Sequence, residues 1–166
     1  MSVGLSLTTL LAYSDHERRK WRDWFAADPA RCSLPIQPGG RFPDAAALLD
    51  HVFLVERRHL SRLEGGAPPA STGVPAGDWA ALFEYATLVR ADFRAYIDAL
   101  DEFAAGQTVV ITGLQSSGDI AMTRLRLASH ILLHEIRHLA QLAFAARLAG
   151  HEPPGRHDLF YFGDSP

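Results

Sequence analysis

The chain has 166 residues, 48% of them hydrophobic and 21% charged, with a formal net charge of −3. That is the size of one ordinary domain with apolar material for a core, so a single domain over residues 1–166 is expected and a disordered chain is excluded. The mild charge and the lack of a long basic run argue against a nucleic-acid partner, and no apolar run reaches the ~20 residues that a bilayer span needs.

The first helix is expected from about Leu5 to Ala27. Leu7, Leu10, Leu11, Trp21, Trp24 and Phe25 supply its apolar side, and Asp28-Pro29 ends it. The apolar stretch Val3 to Tyr13 runs straight into Asp15, His16 and Glu17, so it reads as the start of this helix rather than a signal peptide. Cys32, the only cysteine, permits no internal disulfide and fits a cytoplasmic location. It stands in a loop with no activating neighbour in sequence, and no Ser-His-Asp set is visible, so covalent catalysis is not invoked.

A loop rich in Pro and Gly, Pro35 to Arg41, leads to the second helix, expected over Asp44 to Leu63 with Asp44 as N-cap and Gly65-Gly66 as its close. Residues Ala67 to Gly77 read as loop. The third helix is expected to start after Asp78 and reach Phe103, because Leu82, Ala86, Val89, Phe93, Ile97, Leu100 and Phe103 recur at spacings of three and four. Thr108 to Thr112 is a β-branched run followed by Gly113 and Ser116-Ser117-Gly118, which suits a short strand or hairpin. The fourth long helix is expected over Ala121 to Ala149. Four helices of this length in one domain predict an all-α four-helix bundle, with the hairpin between helices three and four.

The chain has eight histidines, and their placement is uneven. His130, His134 and His138 are four apart on the last helix, so each step turns only about 40° around the axis. Their arc is mostly apolar, with Leu127, Ala145 and Leu148 on it, and therefore faces the core. His51 on the second helix, among Ala47, Leu48, Leu54 and Val55, faces inward too. A buried imidazole needs its nitrogens satisfied, by hydrogen bonds or by a shared metal ion. Two histidines at i and i+4 can chelate one ion from a single turn, and a third from a facing helix leaves positions open for a substrate. His59 is expected at the surface or a shoulder of the bundle. His16, His151 and His157 are expected in loops or at the surface. Leu125, Leu132, Ile136, Leu139 and Ala143 form a second apolar side on the last helix, which implies either a central helix or one covered by a second subunit.

These features resemble the DinB/YfiT-like superfamily of small four-helix proteins. The resemblance is carried by Leu49-Asp50-His51-Val52 with Glu56, and by the run from His130 to Gln141, which holds His134-Glu135-Ile136-Arg137-His138. The continuation Arg147-Leu148-Ala149-Gly150-His151-Glu152-Pro153-Pro154 and the aromatic tail are also similar. The resemblance implies an up-down-down-up bundle with a long crossover and a divalent metal (Zn²⁺, Ni²⁺ or Fe²⁺) on His51, His134 and His138. Gln141 and Glu56 are candidates to support these ligands without binding the ion, His130 is such a partner, an extra ligand or a core residue, and the frequent dimers of the family imply a homodimer. Relatives that use a low-molecular-weight thiol imply a metal-dependent transferase, or else a small-molecule hydrolase. The alternative is a metal-binding stress-response module without catalysis.

His134-Glu135-x-x-His138 also satisfies HExxH, the zinc-protease signature, in which Glu135 would be the general base. The extended form is absent, since Gln141 and Phe144 stand where its Gly and third His would be. Glu152, the one downstream candidate for a third ligand, lies past Gly150 in a Pro-rich loop. The plain reading of Glu135 is a charge on the helix surface.

Overall fold

The computed structural model describes residues 5–37, 39–114 and 118–162. Its elements in order are α1 (Leu7–Ala27), a 3₁₀ turn (Pro29–Ser33), α2 (Ala45–Leu63), α3 (Trp79–Asp98), α4 (Glu102–Gly106), β1 (Thr108–Leu114), β2 (Gly118–Thr123), α5 (Arg124–Leu148) and a second 3₁₀ turn (Leu159–Tyr161). Local chemistry sets most of the boundaries. Ser6, Asp44, Asp78 and Thr123 each accept a hydrogen bond from the backbone three residues on, satisfying an N–H that the first turn leaves free. α2 ends as expected at Gly65-Gly66: Gly65 adopts φ +79°, its N–H reaches Arg62 O at 3.2 Å, and Gly66 N–H reaches Ser61 O at 2.7 Å. That pair of bonds is a Schellman closure, and the positive φ favours glycine.

Two boundaries differ from expectation. The third helix stops at Asp98 rather than reaching Phe103. Asp101 accepts from Ala104 N at 2.7 Å and starts the separate short α4, so Phe103 stands 79% exposed instead of extending the buried stripe. The last helix starts at Arg124 rather than Ala121, because Ala121, Met122 and Thr123 pair with Val110, Val109 and Thr108 of β1. The expected hairpin between the third and fourth long helices is present as this antiparallel pair. The Ser116-Ser117 part of its turn lies outside the described residues.

Residue pairings give the helix directions. Phe53, Glu56 and Arg57 of α2 meet Phe83, Arg90 and Asp92 of α3 in rising order, so these two run parallel, joined by the long 64–78 crossover. α1 runs against α3, with Phe25 on Phe83 and Asp15 on Arg90. His51 facing His134 and His138, with His59 facing His130, makes α2 and α5 antiparallel. The order is up-down-down-up.

The core has two apolar layers. One contains Trp21, Phe25, Phe53, Phe83 and Leu142, and the other Leu11, Leu60, Phe93, Leu127 and Ile131. Between them lies a buried ionic cluster with one residue from each long helix. Glu135 accepts from Arg18 Nε at 2.7 Å, from Ser14 Oγ at 2.6 Å and from Arg90 Nη2. Glu56 accepts from Arg90 Nε at 2.8 Å and Arg18 Nη2 at 2.5 Å. Two guanidiniums and two carboxylates thus neutralise each other, with side chains at most 8% exposed. Each group's hydrogen bonds offset the cost of removing its charge from water.

The second apolar side of α5 is covered from within the chain except at Leu125, which is 46% exposed near the start of the helix. Leu132, Leu139 and Ala143 are buried in the core layers with α1 residues, and Ile136 packs against them. α5 is a central helix, so this side gives no support to the expected dimer. No helix among the described residues is long and apolar enough to cross a membrane.

Candidate metal centre

His51 lies two turns into α2, while His134 and His138 lie one turn apart on α5. The antiparallel packing of α2 on α5 brings the three together. His134 and His138 are buried, at 9% and 4% exposure, and His51 is half-buried. Among the described residues these three form the cluster of His, Cys, Asp and Glu side chains that could hold a metal ion, offering one nitrogen each within 4.8 Å of one another. His134 Nε2 and His138 Nε2 are 3.1 Å apart. Two nitrogens on one tetrahedral zinc ion, each about 2.0–2.1 Å from it, sit about 3.3 Å apart, so this spacing fits a shared ion.

The protonation of the three rings also fits. Burial, and then the nearby Arg41, His138, Arg58 and Arg137, push His51 down to about 4. Burial and the neighbouring His138, His51, His130 and Arg137 push His134 down to about 3. His138 is lowered by burial, with Gln141 opposing and Arg137 and Arg41 adding to it. At neutral pH all three are uncharged imidazoles with a lone pair to offer. Gln141 Oε1 lies 2.5 Å from His138 Nδ1, which places that ring's proton on Nδ1 and leaves Nε2 free to accept.

The loop before α2 roofs the cluster. Ile36 N–H to Pro43 O (3.2 Å), Gln37 N–H to Phe42 O (3.0 Å) and Ala45 N–H to Leu34 O (2.9 Å) fold it back on itself. It delivers Phe42 to within 4.8 Å of the His51 ring and 5.7 Å of His138. Arg41 reaches His51 Nδ1 at 3.5 Å and lies over Phe42. Beside this roof runs a groove of about 740 Å³ bounded by Ile36, Phe42, Arg137, Gln141, Phe144 and Leu148. Neither this groove nor a second cleft of about 800 Å³ is lined by the three histidines themselves; the groove adjoins them through Gln141 and Phe42, whereas in the second cleft Asp44 and Asp78 cap helices and Asp50 accepts from Thr72. Cys32 lines that cleft, and burial, with Asp44 adding, raises its thiol to about 11, which leaves it unreactive.

Several other expected supporting residues lie elsewhere. Glu135 is not a surface charge: it is 2% exposed, and Arg18, Arg90 and Ser14 occupy its carboxylate inside the ionic cluster. The two arginines hold it down to about 2 against the upward pull of burial. One residue from His134 is about 100° around the helix, and here that turn points Glu135 at α1. It has no free oxygen for a general base, and the zinc-protease reading loses its geometry. Glu56 is committed to Arg18 and Arg90 in the same cluster, so it does not support His51. Glu152 runs along α1, where its carbonyl accepts from Trp24 Nε1. His130 is exposed and stands beside the triad, its ring 5.7 Å from His134 and 5.4 Å from His59.

His59 is buried at 8% exposure rather than on a shoulder, because α2 turns it under His130, where Arg62 Nη1 lies 3.2 Å from its Nδ1. His157 is more than a loop histidine: it stacks on Trp21 with ring centroids 5.4 Å apart, and its Nδ1 lies 2.5 Å from Glu17 Oε2, pinning the tail to α1. Arg41 and Phe42 are the contributors that the sequence did not point to. They precede α2 in a loop, outside any periodic pattern.

The sequence model of the DinB family matches residues 1–162. No match is found among curated proteins.

Proposed function

The chain belongs to the DinB family, and from that premise we propose that it is a metal-dependent enzyme that transfers a low-molecular-weight thiol to a small electrophile. The observation that carries this reading is the triad itself: three uncharged imidazoles converging beside an open groove. His51, His134 and His138 would hold a divalent ion such as Zn²⁺, Ni²⁺ or Fe²⁺. Bound there, the ion supplies a Lewis acid that lowers the pKa of a thiol next to it.

The chain's own residues do the rest. Gln141 orients His138 through its Nδ1 proton. Phe42 covers one side and keeps water off it. No Asp or Glu lines the groove among the described residues, so the ion would have to activate either nucleophile, thiol or water, by itself. A thiol starts from a pKa of about 8.5 against about 15.7 for water, so it is the more readily held as its anion at neutral pH, which favours transfer.

The test is turnover of a thiol with chlorodinitrobenzene. The sulfur displaces chloride, a C–S bond forms, a C–Cl bond breaks, and chloride and the thiol proton leave. Metal-loaded protein should accelerate the reaction, and His138→Ala should not. Protein carrying its full complement of metal, yet no faster than His138→Ala on a panel of thiols and electrophiles, would count for the non-catalytic module instead.

A further inference from the structure

We propose that the groove beside the triad selects small organic anions with an apolar body, using the guanidiniums of Arg137 and Arg41. This inference rests on the metal reading for part of its force and on the groove's own lining for the rest.

Three uncharged histidines leave both positive charges of a divalent ion uncompensated by protein. Sites that close over a metal commonly include a carboxylate or thiolate among the ligands. Here the neighbouring charges add to the excess. Arg137 lines the groove and has no carboxylate within ion-pair distance among the described residues. Arg41 has none either, and touches only the His51 nitrogen and the face of Phe42. In another pocket Arg18, Arg90 and Arg94 each pair with Glu or Asp, while Arg19 of the same lining has no such pair among the described residues. What distinguishes Arg137 and Arg41 is their place: Arg137 lines the groove next to His138, and Arg41 reaches His51.

The walls specify the remainder of the ligand. Ile36, Phe42, Ala145, Phe144 and Leu148 are apolar, and Phe144 and Leu148 stand 64% and 74% exposed on α5. A groove of about 740 Å³ is in the range that takes a small molecule, and its pattern is that of such sites: apolar walls with a few placed polar groups. Arg137 and Gln141 lie one turn apart on α5, so an anionic head held by Arg137 lies next to the turn that carries His138. The anionic group can reside on the thiol or on the electrophile. Both share this chemistry.

The experiment is calorimetric titration of the metal-loaded and metal-free protein with phenylbutyrate, phenylbutanol and phenylbutylamine. The acid should bind at least about tenfold more tightly than the alcohol, the gain of a charge-assisted contact, and the amine should not bind. Arg137→Gln should remove most of that preference and Arg137→Lys should keep part of it, with Arg41→Gln intermediate. Acid and alcohol binding alike, or Arg137→Gln leaving the preference intact, would overturn the proposal. Mercaptohexanoate against mercaptohexanol assigns the source. An Arg137 effect on this pair places the anion on the thiol; an effect on the phenyl pair alone places it on the electrophile. Metal content measured on the same samples separates the two readings. One ion per chain with no anion preference defeats the groove inference alone. An arginine-dependent preference in protein that takes up no metal supports the groove and defeats the triad.

Discussion

Replacing Glu135 by Gln removes one negative charge from the buried cluster, leaving Arg18 and Arg90 to share Glu56, with the part-buried Asp15 also on Arg90. The amide keeps the shape and one acceptor, but its NH₂ now faces the donors Arg18 Nε, Arg90 Nη2 and Ser14 Oγ. Removing one partner from a buried ion pair costs about 3–5 kcal/mol, a large part of the ~5–15 kcal/mol that holds a domain folded. With an m-value near ~2 kcal/mol/M, the urea midpoint should fall by about 2 M. Exposed Glu84→Gln is the control and should move stability by less than about 0.5 kcal/mol. Metal content per folded chain should be the same in both variants, because Glu135 does not face the triad. A loss below about 1 kcal/mol, or loss of metal with stability retained, would refute this account of Glu135 and revive its role at the metal.

Gln141→Leu removes the acceptor that holds His138 Nδ1; metal affinity, measured by competition with a chelator, should fall about 10-fold or more while the fold is kept. Acid should destabilise the metal-free protein. Burial, with the nearby positive charges adding, lowers His51 to about 4, His59 to about 3 and His134 to about 3, below the unfolded value of 6.5. Their contribution is therefore complete above pH 6.5 and is lost as pH falls towards 4 and then 3, at about 1 kcal/mol per pH unit for each well-buried ring. Urea midpoints that hold steady or rise between neutral pH and pH ~5 would contradict that sign. Phe103→Ser should leave the thermal midpoint unchanged and Phe93→Ala should cost about 3–5 kcal/mol, since the first ring is 79% exposed and the second fully buried; equal effects would restore the longer third helix.

What the sequence made legible was local. Asp44, Asp78 and Gly65-Gly66 mark their helix ends because capping involves neighbours within a turn. The i, i+4 histidines were readable for the same reason. The end of α3 was misplaced because Leu100 and Phe103 continue its spacing, although Asp101 before Glu102 already carried a capping signal. The start of α5 was misplaced because Gly118–Thr123 has little β-branched character and becomes a strand through pairing with β1. The ionic cluster was missed by treating charge as a surface property. Its members in fact lie on the buried stripes of their helices. Glu135 sits among Ile131, Leu132, Leu139 and Leu142, and Arg90 among Phe83, Ala86, Phe93 and Ile97, all buried. A wheel that placed charged residues by their neighbours would have put them inside. Their partners, from 34 to 117 residues away, could not be paired from one sequence.

Whether His51, His134 and His138 hold a single divalent ion is read directly from the metal-to-chain ratio of untagged protein by elemental mass spectrometry. About one ion per chain is expected. His51→Ala or His138→Ala should abolish it, and His151→Ala, whose ring meets Trp24 near the end of α5, should leave it intact. Protein that is metal-free and cannot be reloaded, or His151→Ala losing metal as fully as His138→Ala, would contradict the site.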